Sequence, residues 1–167
     1  MTIKIFTTGG TIDKVYFDAL SEFHIGDPMA DTLLEEANVT FAYSVESLLK
    51  KDSLEITEED RELIRNRVEH VTESMILVTH GTDTMVDTAK FLQGIEGKTV
   101  VLFGAMQPAR MRYSDAMFNL GTASAAVQIL PAGIYIAMNG QIFAADEVSK
   151  NRAEARFEKN AEHTRSN

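Results

Sequence analysis

The sequence predicts an α/β domain of three layers, with helices on both faces of a largely parallel, flavodoxin-like sheet. Three observations predict it. Strand-like and helix-like segments alternate along the chain. Two nearly continuous apolar runs, residues 75–79 (MILVT) and 98–103 (KTVVLF), read as strands buried on both faces, as parallel strands are. Polar segments bearing glycine follow three of the strands, and ligands in open α/β sheets sit beyond such carboxyl ends.

Each element has its own justification. Residues 2–7 (TIKIFT) form the first expected strand. Residues 8–30 read mostly as loop, punctuated by Gly9, Gly10, Gly26 and Pro28. Asp27 and Pro28 open a helix that runs to about Ala37, since proline suits a first helical turn. Residues 38–45 (NVTFAYSV) alternate polar and apolar and read as a strand. Thr57 to Val71 is the clearest helix. Thr57 and Asp60 have the spacing of a capping box, and Glu58, Glu59 and Asp60 suit the positive end of the helix dipole. Ile64, Val68 and Val71 then form an apolar stripe. After the 75–79 strand a helix spans about Thr82 to Leu92, with Met85, Ala89 and Leu92 on one face. A loop over 104–113 leads into a helix from Asp115 to Leu130 that aligns Leu120, Ala123, Val127 and Leu130. Residues 133–138 (GIYIAM) and 141–144 (QIFA) flank Asn139-Gly140 and form a C-terminal β-hairpin. A single domain over 1–150 is expected, with a polar tail over 151–167 that is a frayed helix or disordered.

Composition narrows the function classes. The chain has 167 residues, 44% hydrophobic and 25% charged, which suits one globular domain. No run approaches the ~18 apolar residues of a membrane-spanning helix. The start, MTIKIFTTGG, lacks the apolar core and cleavage site of a secretory signal. Cysteine is absent, so neither disulfides nor thiolate metal sites are possible, and a reducing, cytoplasmic location is expected. The net charge of −9 argues against nucleic acid or anionic membrane as partners. The expected partner is a small-molecule substrate or another protein chain.

Candidate chemistry clusters at the strand ends. Thr7-Thr8-Gly9-Gly10-Thr11 joins a glycine pair, which admits a sharp turn and close ligand approach, to a hydroxyl that can serve as nucleophile or donor. The same segment also suits a plain turn with a capping threonine. It is neither a Walker loop nor a GxGxxG fingerprint. Thr79-His80-Gly81-Thr82-Asp83-Thr84 ends a buried strand and opens a helix, and it concentrates more polar groups than capping alone requires. His80 stands where a base for a threonine would stand, or it is a satisfied structural histidine. The histidines show no HxxxH or HExxH spacing, so no metal site is expected. If the fold is right, TTGGT, THGTDT and GAMQP converge in space.

Taken in order, TTGGTI, THGTDTM, GAMQP and SDAMFNL resemble the L-asparaginase/glutaminase family. The resemblance covers essentially the whole chain, but only the N-terminal domain of that family, whose typical members are about twice as long. It implies a short, single-domain asparaginase that hydrolyses L-asparagine to L-aspartate and ammonia by threonine attack, without cofactor or metal. It implies that Thr11 is a nucleophile, that Thr82 and Asp83 form a second triad with Lys150 of Val148-Ser149-Lys150, and that Tyr16 closes a loop over the substrate. Ser53 of Asp52-Ser53 is implied for the α-carboxylate, with Gly10 and the Ala105 backbone beside the substrate. Leu54 stands where the family usually has a polar residue, and Gln107 where it has arginine. A homodimer or homotetramer with an open site is expected. Two other readings stay open: a broader amidase acting on glutamine, and a catalytically silent amino-acid-binding regulator.

Overall fold

The computed structural model describes residues 1–161. Five parallel strands form the sheet: β1 (Thr2–Gly9), β4 (Ala42–Lys51), β5 (Met75–Thr79), β6 (Thr99–Phe103) and β7 (Gly133–Met138). β8 (Gln141–Ala144) adds an antiparallel edge. The spatial order is β4-β1-β5-β6-β7-β8. The parallel strands therefore follow a flavodoxin-like 2-1-3-4-5 order, with the order reversing beside β1. Helices cover both faces: α2 (Glu58–His70) and α3 (Met85–Phe91) on one, α1 (Ala30–Glu36) and α4 (Ala116–Ile129) on the other.

The alternation of side chains along each strand divides the core in two. Ile76, Val78, Val100 and Leu102 pack toward Ile64, Val68, Met85 and Leu92, while Leu77, Val101 and Phe103 pack toward Leu33, Leu120 and Ala123. Successive residues of one strand point to opposite faces, so a strand buried on both sides has no polar position to spare. The Thr57 capping box is formed: Asp60 N–H donates to Thr57 Oγ1 at 3.2 Å, and Thr57 N–H to Asp60 Oδ2 at 2.9 Å. Asn139 and Gly140 both have left-handed φ, 55° and 71°, as the tight β7–β8 turn requires.

Four expectations are corrected. Residues 8–30 hold, after a 3-10 turn at Thr11–Asp13, an antiparallel hairpin of β2 (Lys14–Phe17) and β3 (Glu22–Ile25). Its strands carry aromatic and β-branched residues, but the turn lacks a two-residue Gly or Asn signal. The first helix is not capped by Asp27, which pairs instead with Lys50 at 2.6 Å. Asp13, sixteen residues before, accepts the Met29 N–H at 2.9 Å. The second parallel strand begins at Ala42 and continues to Lys51. Asn38, with φ 50°, turns the chain after α1 before that strand can begin. The expected polar tail is in part a second hairpin, β9 (Val148–Asn151) with β10 (Arg156–Lys159); residues 162–167 lie outside the described residues. Phe157 on β10 is 1% exposed and joins the core with Met138, Phe143 and Val148. One apolar residue in a polar segment is enough to anchor it.

Phe157→Ala is expected to cost about 3–5 kcal/mol of unfolding free energy in urea titration, as loss of a buried phenylalanine does. A loss under ~0.5 kcal/mol, typical of surface positions, would contradict the hairpin's place in the core.

Candidate functional site

The three strand ends converge, and a fourth joins them. Gly10 lies so close to the next turn that a Cβ on it would stand 2.5 Å from the Gly81 nitrogen. A Cβ on Gly81 would in turn stand 2.6 Å from Ser53 Cβ, and one on Gly104 would stand 2.3 Å from the His80 carbonyl. Real side chains do not tolerate such distances, so glycine at Gly10 and Gly81 is what lets the turns after β1, β4 and β5 stack. Ser53 is buried beneath this stack, and Thr84 Oγ1 donates to its carbonyl at 2.7 Å.

Lys150 reaches the same place from β9. Its Nζ donates to Thr82 Oγ1 and to Asp83 Oδ1, each at 2.8 Å, across 68 and 67 residues of chain. The lysine side chain is mostly covered, and Arg152 lies beside the same carboxylate, Nε to Oδ1 at 3.5 Å. One carboxylate, one ammonium and one threonine hydroxyl therefore share a single cluster at the carboxyl edge of the sheet. Removing one member of a partly buried pair strands its partner's charge.

The remaining sequence-derived candidates sort clearly. Thr11 opens the 3-10 turn directly after Gly10 and is half-buried. Ala105 is buried beside Gly104, so it offers backbone rather than side chain. Asp52 caps the Ser53–Glu55 turn, accepting from Leu54 N–H at 3.1 Å, and pairs with Lys14 at 3.1 Å. Leu54 itself is 69% exposed. Gln107 contributes its backbone N–H to Asp115 Oδ1. Tyr16 is not brought into this cluster by any hydrogen bond. It stands half-exposed on β2, its ring edge-on to Phe23 with centroids 5.3 Å apart. There it lines a groove of about 420 Å³ with Lys14, Phe23, Pro108 and Arg110.

His80 resolves to the structural option. It is wholly buried, with Nδ1 2.7 Å from the Gly81 carbonyl and Nε2 2.8 Å from Thr88 Oγ1. Burial pushes its pKa down to about 4, opposed by the Gly81 hydrogen bond; Arg61 lowers it further and Asp87 raises it. Arg61 Nε donates to Thr88 Oγ1 at 3.1 Å. Sequence reading missed Arg61, Thr88, Arg152 and Asp13. A signal existed for two of them: Arg61 and Thr88 are polar residues on the stripes Ile64–Val68 and Met85–Ala89–Leu92. Asp13 is buried, with Oδ2 unpartnered. Burial pushes its carboxyl up to about 6, against the Met29 hydrogen bond and the charges of Arg110 and Lys50.

Fold and cluster together define a flavodoxin-like α/β domain with a hydroxyl-carboxylate-lysine site at its carboxyl edge. A family model described as "Asparaginase, N-terminal" matches residues 2–162. The glutaminase-asparaginase of Acinetobacter glutaminasificans is 34% identical over 172 residues, covering 89% of this chain and 49% of that protein. The probable periplasmic L-asparaginase of Haemophilus influenzae is 32% identical over 164 residues, covering 92% and 47%. The solved thermostable L-asparaginase of Thermococcus kodakarensis superposes with a TM-score of 0.82 at 28% identity, over 95% of this chain and 51% of that one. This chain belongs to the asparaginase family, and it spans about half the length of the curated relatives it matches.

Asp13 and His80 carry opposite pH signatures. Asp13, with its folded pKa raised from 3.8, contributes stability that is full below about pH 4 and lost as pH rises through about 6. His80, with its folded pKa lowered from 6.5, contributes stability present above about 6.5 and lost as pH falls through about 4. Their slopes cancel across one window. Asp13→Asn keeps the acceptor for Met29 and uncovers the histidine. Its unfolding free energy is expected to climb more steeply than the parent's between pH 4 and 6.5, by up to about 3 kcal/mol, because Asp13 no longer offsets the histidine. Equal pH slopes for both proteins in chemical denaturation would refute this.

Proposed function

We propose that this protein is an amidohydrolase that converts L-asparagine to L-aspartate and ammonia. The observation that carries the reading is Lys150 Nζ, held at 2.8 Å from both Thr82 Oγ1 and Asp83 Oδ1 beside the Thr11 turn. Family membership and relatives named L-asparaginase support it. In this reading the Thr11 hydroxyl attacks the side-chain amide carbon. Its proton passes by way of the Thr82 hydroxyl to Lys150, which takes part as the neutral amine because an ammonium has no lone pair, and Lys150 then gives a proton to the departing nitrogen. The carbon–nitrogen bond breaks and ammonia leaves. Water then opens the aspartyl ester, restoring the Thr11 hydroxyl and giving L-aspartate. A threonine needs such help because its hydroxyl is a weak nucleophile at its own pKa.

The other residues take supporting roles. The Thr82 N–H, which has no hydrogen-bond partner among the described residues, would face the developing oxyanion, an interaction worth roughly 3–4 kcal/mol. The Ser53 hydroxyl would hold the α-carboxylate, Asp83 the α-amine, and the backbone at Gly10 and Ala105 the rest of the substrate. Asp52 would brace Ser53 through its cap, and Tyr16 would close from the β2–β3 hairpin. L-Glutamine is the second substrate to test, since relatives are named glutaminase-asparaginase.

We also place the protein in the cytoplasm as a homodimer or homotetramer. One solved neighbour, from Campylobacter jejuni, is described as a probable cytoplasmic L-asparaginase. What favours self-assembly is α4, fourteen residues without a charged side chain in a chain of which 25% is charged. Its Met117, Phe118, Gly121, Ala125 and Ile129 face solvent. Copies each carrying −9 meet with least repulsion at an uncharged face.

Ammonia release from L-asparagine tests the chemistry. Thr11→Ala, Thr82→Ala and Lys150→Ala are each expected to lower kcat by roughly 10²–10⁴. Full activity in all three would overturn the site. Acid-quenched mass spectrometry is expected to find the aspartyl ester on the peptide bearing Thr11; an ester on Thr82 would exchange their roles. Light scattering tests assembly: Ala125→Glu is expected to dissociate the parent oligomer, and a monomeric parent would refute it.

A further inference from the structure

We propose that His80, oriented by Thr88 and Arg61, is a positioning residue that aims the Gly81–Thr82 peptide at the reacting carbonyl. The inference deepens the amidohydrolase reading and rests on it for its kinetic test.

The polarity of the network follows from what each group can do. A carbonyl only accepts, so the 2.7 Å contact to the Gly81 oxygen requires the proton on His80 Nδ1. A neutral ring then has a lone pair on Nε2, which accepts the Thr88 hydroxyl proton at 2.8 Å. That leaves the Thr88 oxygen to accept from Arg61 Nε at 3.1 Å, and a guanidinium only donates. Arginine at one end and a carbonyl at the other permit one direction of hydrogen bonding through the chain. The Gly81 carbonyl thus sets the tautomer of the neutral His80, and Arg61 of α2 holds the Thr88 hydroxyl of α3 in line with it. Complete burial of the ring keeps it neutral, as the polarity requires.

The consequence falls on the next peptide. The described chain has no cis peptide bonds, so the Gly81 carbonyl and the Thr82 N–H lie antiparallel in one plane. With the carbonyl tied to the buried imidazole, the Thr82 N–H is directed away from it, and no described residue accepts its proton. Glycine is the residue least able to hold such an orientation by itself, and Gly81 must be glycine because Ser53 occupies the place of its Cβ. The imidazole supplies the restraint that the missing side chain cannot. A rotated Gly81–Thr82 peptide would put a carbonyl oxygen where the Thr82 N–H now stands.

The test separates this role from simple packing. Thr88→Val removes the hydroxyl at nearly constant volume, and Thr88→Ser restores it. Thr88→Val is expected to lower kcat for L-asparagine by about 10²-fold, the cost of misplacing a group by ~1 Å, with KM changed less than ~2-fold. Thr88→Ser is expected to recover kcat to within ~3-fold of the parent. Nitrogen-15 NMR of the imidazole is expected to show a protonated Nδ1 and an unprotonated Nε2 in the parent. A Thr88→Val enzyme with parental kcat, or one in which only KM rises, would overturn the proposal, as would a parent ring protonated at Nε2. A parent that releases no ammonia yet shows the Nδ1–H tautomer would overturn the amidohydrolase reading and the catalytic aim of the peptide, while upholding the hydrogen-bond chain itself.

Discussion

The close stacking of backbone turns at the carboxyl edge of the sheet is the constraint on which the rest of the structure depends. Gly10 rests on Gly81, Gly81 on Ser53, and Gly104 on the His80 carbonyl, each at distances that exclude a side chain. Strands spaced less than ~5 Å apart bring their ends together automatically, but the loops leaving them normally splay to make room for side chains. Here nothing separates them. Hydroxyls from three loops, at Thr11, Ser53 and Thr82, and backbone from a fourth, at Gly104, therefore share a small volume without any one loop having to be long.

This stack does not by itself include the lysine of the Thr82–Asp83 cluster. Lys150 comes from outside the parallel layer, on a short hairpin that is small and mostly polar. Its position is secured from the far strand. Phe157, paired directly opposite Lys150, is buried in the core, and its N–H is accepted by Asn139 Oδ1 at 2.9 Å. The β7–β8 turn thus has two duties: its left-handed Asn139 reverses the chain and its side chain fastens the next hairpin. An anchored lysine loses less freedom on pairing, so its bonds to Thr82 and Asp83 cost less to hold than those of a solvent-borne side chain.

The electrostatics around the site combine neutrality below with charge above. Under the turns, His80 is kept neutral by burial, and Asp13 is pulled toward its neutral form by the same cause. At the rim, Lys14, Lys50, Lys51 and Lys150 are each paired with a carboxylate. In a chain of net charge −9 these pairs tie basic side chains to the site's edge, where the turns need bracing. Individually exposed pairs such as Lys50–Asp27 add little stability; their effect here is placement.

Much of the fold was legible in one dimension because its period is local. The runs at 75–79 and 98–103, the stripes of α2 and α4, the Thr57 cap and the Asn139-Gly140 turn each depend on residues within a few positions of one another. So were the strand-end motifs, whose hydroxyls and glycines stand adjacent in sequence. The β2–β3 and β9–β10 hairpins were not, because one lacks a turn signal and the other hangs on a single phenylalanine. Nor was the capping of α1, whose acceptor Asp13 sits sixteen residues away. Lys150 could be named only through family resemblance, since a lysine in a polar segment reads as solvated. What the sequence determined alone was the set of elements and the chemical groups at their ends, since neighbouring residues suffice for both. What the tertiary structure decided was which groups meet: Thr82 with Lys150 across 68 residues, and His80 with Arg61 through Thr88. Those meetings follow from strand order and glycine contact, which no local pattern encodes.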